Sequence, residues 1–374
     1  MEPVTHFLTG ACIGRAGLNR RTAYATLAAV LAAEAADMDV LWGLRGPVEE
    51  LKHHRGITHT FIAVPVVAAV TVGAVWLLDR WVQARRKRKL KAAPPTDPGA
   101  PAPQPPQPVR WGWLYLTALL AALSHLALDW TNNYGLRPFF PFNSHWYAGS
   151  FVFIAEPVLW AFPLVALIVP WLLGLADAEI GARRTAFRGR GWAIFALAGM
   201  VVLWCCRWTE HAQALAMVEN VQIATAPIRR AAMEPYPVNP FRWHAILETD
   251  DFYQTAEIDT HAGTIVSDAR QDVLFKPTAT AATEAAKRTP LGQVYMDWGS
   301  WAVVRDLGPV TAPGMAPPQV ANRQWTTIEF IDLRFAYSYL GNGGVIRNSP
   351  LAGWVYIVDG REDAGEAMGG REQR

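Results

Sequence analysis

His53-His54-Arg55-Gly56-Ile57-Thr58-His59 (residues 53–59) puts three histidines into a short polar loop. The residues on either side decide the fold. Residues 22–44 and 60–82 are apolar runs. As helices they reach about 35 Å, enough for a hydrocarbon core of roughly 30 Å. The first run also carries Glu34, Asp37 and Asp39 towards its end. A histidine-rich loop joining two such runs, with acids beside it, reads as one face of a membrane bundle.

Working outward, residues 111–130, 150–175 and 191–208 form further spans. The second of these is interrupted by Glu156-Pro157, Pro163 and Pro170, and the last runs into a polar helical stretch ending near 226. Residues 3–18 reach only about 24 Å as a helix, so they either cross or stay on one side, giving six or five membrane segments. Six is the preferred reading. RRKRKLK (residues 85–91) and a Pro-rich run over 92–109 follow the 60–82 span, and the latter reads as an extended cytoplasmic linker. Beyond 226 the character changes. FRWHAILET (241–249), DFYQTAEID (251–259), TTIEFIDLRF (326–335) and GWVYIVDG (353–360) have the β-branched and aromatic content of strands. The expected architecture is a membrane α-helical bundle of five to six segments over residues 1–226, a soluble β-rich domain over 235–360 and a flexible tail over 361–374.

Composition agrees. Of 374 residues, 51% are hydrophobic and 17 are Trp, while net charge is only +2, so bulk electrostatics gives a nucleic-acid partner no support. Cys12, Cys205 and Cys206 lie in apolar segments without metal-type spacing. Glu2 and the lack of a basic start argue against a cleaved signal peptide.

Basic residues mark the cytoplasmic side. The 85–91 block and Arg183, Arg184, Arg188 and Arg190 then lie inside, and loops 45–59 and 131–149 lie outside with the β-rich domain. If residues 3–18 cross, His6 joins that outer face. Asp37, Asp39, His54 and His59 meet there with His125 and Asp129, which stand four apart and so project from one helix face, and with Glu156. Carboxylates and imidazoles at membrane depth are expensive, and a mixed Asp/His set is relieved by a cation. Nitrogen with carboxylate oxygen suits zinc or a similar divalent metal. Singly, each piece also has a plain structural reading. Asp37 and Asp39 can cap a helix end, His53 can be solvated, and Arg55 can pair with Asp37 or Glu34 instead of clamping a substrate phosphate. A transporter is disfavoured, because the acids cluster at one face and no inverted repeat is visible.

At these residues the chain resembles the YdjM-like inner-membrane proteins, described as membrane-bound metal-dependent hydrolases. The matching pieces are Thr5-His6 with Gly10, Asp37-Met38-Asp39, His54-Arg55-Gly56-Ile57-Thr58-His59, His125-x-x-x-Asp129, Tyr134-Gly135, and Phe153-Ile154-Ala155-Glu156-Pro157. Glu156 stands where the family commonly has Asp, and the Pro-rich insertion is a second departure. Asp332-Leu333-Arg334-Phe335 resembles the family's C-terminal region, with Asp332 and Arg334 read as a salt bridge. The family is in turn similar to zinc-dependent phospholipase C and P1-type nucleases. That implies one or more metal ions held by His6, Asp39, His59, His125 and Asp129, to which the clustering at the outer face adds Asp37. Arg55, His54 and Glu156 are left for substrate or supporting roles, and the reaction implied is metal-assisted hydrolysis of a phosphoester or lipid-linked substrate at the bilayer's periplasmic face. The alternative is a metal-binding envelope protein without turnover.

Overall fold

A computed structural model of the protein describes residues 1–92, 107–179, 189–220, 226–268, 270–320, 322–337 and 349–373. The Pro-rich linker lies largely outside these residues.

The N-terminal half is helical. α1 (Pro3–Arg15) and α2 (Ala25–Glu34) form an antiparallel pair joined by a 3₁₀ turn, Leu18–Arg20. Their closeness is built from small residues. A Cβ on Gly14 would lie 2.5 Å from Thr26 Cα, and one on Gly10 would lie 2.8 Å from the Ala29 carbonyl oxygen. In an apolar solvent helix association rests on such close contact, not on hydrophobic expulsion. After α2 the chain tightens into a 3₁₀ segment, Ala35–Arg45, then α3 (Pro47–His53) and a 3₁₀ turn, Ile57–His59. Long helices follow: α4 (Ala63–Ala92), α5 (Trp111–Thr131), α6 (Pro157–Glu179) and α7 (Arg190–Asn220).

Among the described residues, these four are long and apolar enough to cross a membrane. The expected segments at 3–18 and 22–44 instead become helices of 13 and 10 residues. Nothing in the second run forbids length by hydropathy. The α-helix gives way where Glu34, Asp37 and Asp39 arrive, and the tighter backbone brings Asp37 within 3.6 Å of His125 on α5. α2 lies at the centre of the bundle, its Ala29, Ala32 and Ala33 packed with Ala68 of α4 and with Ala118 and Ala121 of α5.

The C-terminal half is β-rich. β1 (Arg230–Pro235), β2 (Arg242–Glu248), β3 (Phe252–Asp259) and β4 (Thr264–Val266) make one antiparallel sheet, with β5 (Val273–Phe275) also on β3. Two short helices, α8 (Ala281–Ala286) and α9 (Pro290–Trp298), lead to a second antiparallel sheet. It contains β6 (Ala302–Asp306), β7 (Trp325–Asp332), β8 (Gly353–Val358), β9 (Glu362–Met368) and β10 (Arg371–Glu372) in the order 10-9-8-7-6. All four stretches read as strands contain one, although Leu333–Phe335 at the end of 326–335 is a 3₁₀ turn. Residues 361–374, expected as a flexible tail, carry β9 and β10, and the sheets begin at Arg230, before 235. EDAGEAM has little intrinsic strand preference and is held by pairing with β8.

The two halves share a core. Val48 and Leu51 of α3 and Tyr134 pack with Tyr295, Trp298, Phe330 and Phe335. Arg334 pairs with Asp332 at 2.9 Å, as its spacing suggests, and donates to the Asn133 carbonyl at 2.8 Å. The β-rich half is thereby fastened onto the loop after α5.

Candidate metal centre

His125 and Asp129 lie one turn apart on α5, on the same buried face. α2 packs against that face and offers the Ala33 carbonyl to His125 Nδ1 at 2.6 Å. With Nδ1 donating, Nε2 is left as a free lone pair. His59, at the end of its 3₁₀ turn, is treated similarly. Its Nδ1 stands 3.2 Å from Asp39 Oδ2 and 3.0 Å from the Thr58 hydroxyl, and its Nε2 faces inward. Asp37 reaches in from the 3₁₀ segment after α2.

Asp37, His59, His125 and Asp129 therefore bring their donor atoms within 4.8 Å of one another, and this group could hold a metal ion. Five separations define it. His59 Nε2 lies 3.0 Å from His125 Nε2 and 3.3 Å from both Asp37 Oδ1 and Asp129 Oδ2. His125 Nε2 lies 3.6 Å from Asp37 Oδ1 and 3.3 Å from Asp129 Oδ2. Four donors about 2.0–2.1 Å from a tetrahedral ion stand about 3.3 Å apart. Asp129 Oδ2 is buried without a hydrogen-bond partner among the described residues, an atom that a cation would satisfy.

The charges are mutually dependent. Burial opposes a charge on His59, yet bonds with Asp129, Asp37 and Asp39 lift its pKa to about 10. Burial likewise opposes ionisation of Asp37, but the bond from His59 and the nearby imidazoles of His125 and His6 draw it down to about 2. Asp39 is also held low, by His54 and His59 against its burial. Without a cation, a proton on His59 offsets one of the group's two carboxylate charges; a metal would take that proton's place.

The other expected residues fall into distinct places. His6 is beside the group, its ring stacked on His125 at 3.8 Å and its Nε2 3.4 Å from Asp129 Oδ1 and 4.0 Å from Asp37 Oδ2. Both its nitrogens are buried without hydrogen bonds among the described residues. The Met1 amino group also contacts Asp129. Asp39 turns away from the four donors. It accepts from the Arg55 backbone N–H at 2.8 Å and from Thr58 at 3.0 Å, and it meets His54 Nδ1 at 3.0 Å. It orients His59 and does not reach the centre. Arg55 is buried and looks inward, donating to Asp129 at 2.9 Å, Asn132 at 3.1 Å and the Gly135 carbonyl at 2.9 Å, with its guanidinium over Tyr134. Of its two readings, the geometry has the internal partner, though it is Asp129 and not Asp37 or Glu34.

Glu156 is not brought to the group. It pairs with Arg207 of α7 at 2.6 Å and accepts from the Val238 backbone N–H at 3.1 Å, joining the bundle to the β-rich half. His53 stacks on Trp42 and His145 is exposed. Asn133, Tyr134 and Gly135 read from the sequence as turn chemistry, and nothing in that reading singles out Asn132. Asn132 is a buried acceptor for Arg55, and Tyr134 lies between Arg55 and Trp298 of the β-rich half. The spacing of Asn132 three residues after Asp129 was the available signal.

No curated protein and no solved structure matches this chain. A family model, described as YdjM inner membrane protein, matches residues 1–214, which include the Asp/His group and all but the end of α7.

Proposed function

The chain belongs to the YdjM inner membrane protein family, and from that premise we propose that it is a membrane-bound, metal-dependent hydrolase of a phosphoester or lipid-linked substrate. The observation that carries the metal is the set of five donor separations, 3.0–3.6 Å, which fits the edges of one tetrahedral site. Two imidazole nitrogens and two carboxylates favour zinc among common divalent ions. Asp37, His59, His125 and Asp129 would hold it, with His6 beside them facing the opposite oxygens of both carboxylates. A bound divalent ion would supply Lewis acidity, and a water nucleophile at neutral pH where the coordination expands or Asp37 yields its position.

The chain's own residues do the rest. Asp39 and the Ala33 carbonyl fix the imidazole tautomers, and Arg55 fixes Asp129. Asp37 is the donor that meets solvent, its side chain 17% exposed where His59, His125 and Asp129 are fully buried. Its side is therefore where water and substrate would enter. The orientation proposed from the basic residues puts this face and the β-rich half in the periplasm, so a substrate would come from the outer leaflet or from solution.

A second reading, a metal centre without turnover, is favoured by the same four donors, because four protein ligands close a tetrahedral site. The two separate experimentally. Detergent-purified protein should contain stoichiometric metal by elemental analysis, and the His59→Ala and His125→Ala variants should each lose most of it. Phosphodiester and phospholipid hydrolysis should vanish on chelation and return with added zinc. Stable metal without any such turnover favours the structural reading. Metal-free wild type with unchanged variants removes both.

A further inference from the structure

The helices have a second end. α1 and α5 run in opposite directions between the metal group and the other end of the bundle. His6 and Asp129 mark one end, and Arg15 and Trp113 the other. α7 starts at that other end with Arg190. Between these three helices lies a cavity of about 860 Å³. Arg20, Arg21, Arg110 and Arg190 stand around it, and no acid is among its described lining residues. All four arginines are exposed. Arg21 lies over the Trp113 ring at 5.4 Å, and Arg190 donates to the Ala16 carbonyl at 3.1 Å, so both are directed by the protein.

The cavity has depth as well as charge. Its wall descends from Trp113 to Leu120 on α5 and from Arg190 to Leu197 on α7. Seven helical residues are about 10 Å, roughly a third of the hydrocarbon core. Leu120 is 42% exposed, so this wall opens sideways towards lipid.

We propose that this cavity is a binding site for an anionic phospholipid, its phosphate among the four arginines and its first acyl carbons along Ile13, Leu120 and Leu197. Charge complementarity selects the anion, and guanidinium groups match phosphate oxygens. The apolar depth selects a lipid over a free phosphate, which needs only the mouth. Basic pockets between membrane helices on the positively flanked side are where acidic headgroups collect. The site is at the opposite end from the metal group and stands without it.

The test uses the full-length protein in nanodiscs or detergent. Binding of phosphatidylglycerol is compared with that of phosphatidylcholine, inorganic phosphate and deacylated glycerophosphoglycerol, by native mass spectrometry and by thermal shift. Phosphatidylglycerol should bind preferentially and raise the melting temperature, and neither soluble phosphate should match it. Arg21→Gln with Arg110→Gln should weaken it roughly 20–30-fold. Arg229→Gln with Arg323→Gln, which removes the same charge from the exposed β-rich surface, should not. Equal binding of phosphatidylcholine overturns the proposal, as does equal binding of inorganic phosphate. So does equal loss in the pocket and surface variants, since that would make the effect one of net charge.

Discussion

At the scale of single residues, the centre is a set of groups that correct one another. In metal-free protein, His59 has its pKa raised from 6.5 to about 10. Its contribution to stability is complete below pH 6.5 and is lost as pH climbs towards 10. Asp37, drawn down to about 2, contributes above the ordinary Asp range and loses that contribution as pH falls towards 2. Chelator-treated protein should therefore lose melting temperature between pH 6.5 and 9. Metal-loaded protein should not, because the ion replaces the His59 proton, and thermal unfolding of both forms in detergent checks this. Arg55 makes a sharper case. Arg55→Ala leaves Asp129 short of its main buried partner and should cost about 3–5 kcal/mol. Arg55→Lys should recover little, since an ammonium cannot serve Asp129, Asn132 and the Gly135 carbonyl in one plane. Denaturant or heat unfolding reads both. The sequence made His59, His125 and Asp129 legible because unusual polar residues in apolar surroundings stand out. It did not separate Asp37 from Asp39. Both sit at the end of the same run, and which one points inward depends on the 3₁₀ winding after Glu34.

At the scale of elements, the long helices were legible from hydropathy alone, whereas the short pair was not. α1 and α2 owe their place to Gly10, Gly14 and a run of alanines, a signal of close approach instead of length. Gly14→Leu should separate them, because its Cβ has only 2.5 Å to Thr26 Cα. The expected loss is about 1–3 kcal/mol or more, seen as a lower melting temperature, with reduced metal content because α2 carries the Ala33 carbonyl to His125. A matched Gly112→Leu, with open space around that position, should do neither. Strands with β-branched or aromatic alternation, such as β7 and β8, announced themselves. β9 did not, because pairing with β8 makes it a strand and its own composition does not.

For the molecule as a whole, the β-rich half is fastened over the site by a short relay. Trp298 packs on Tyr134 at 4.9 Å, Tyr134 lies beneath Arg55, and Arg55 holds Asp129. Trp298→Ala should cost about 3–5 kcal/mol and also weaken metal retention, measured by dialysis against chelator. A purely local core defect would change stability alone. The relay also carries a consequence for assembly. Every donor of the metal group lies between residues 37 and 129, and the residues that cover the adjoining loop come after 230. As the chain emerges from the ribosome, the cradle is complete well before its cover exists. An ion would enter most easily in that interval, and once the cover has folded the side of Asp37, 17% exposed, would be its remaining approach. Chain order thus puts metal uptake, if it occurs, ahead of the docking of the β-rich half, and zinc supplied during synthesis should load the protein more fully than zinc added after purification.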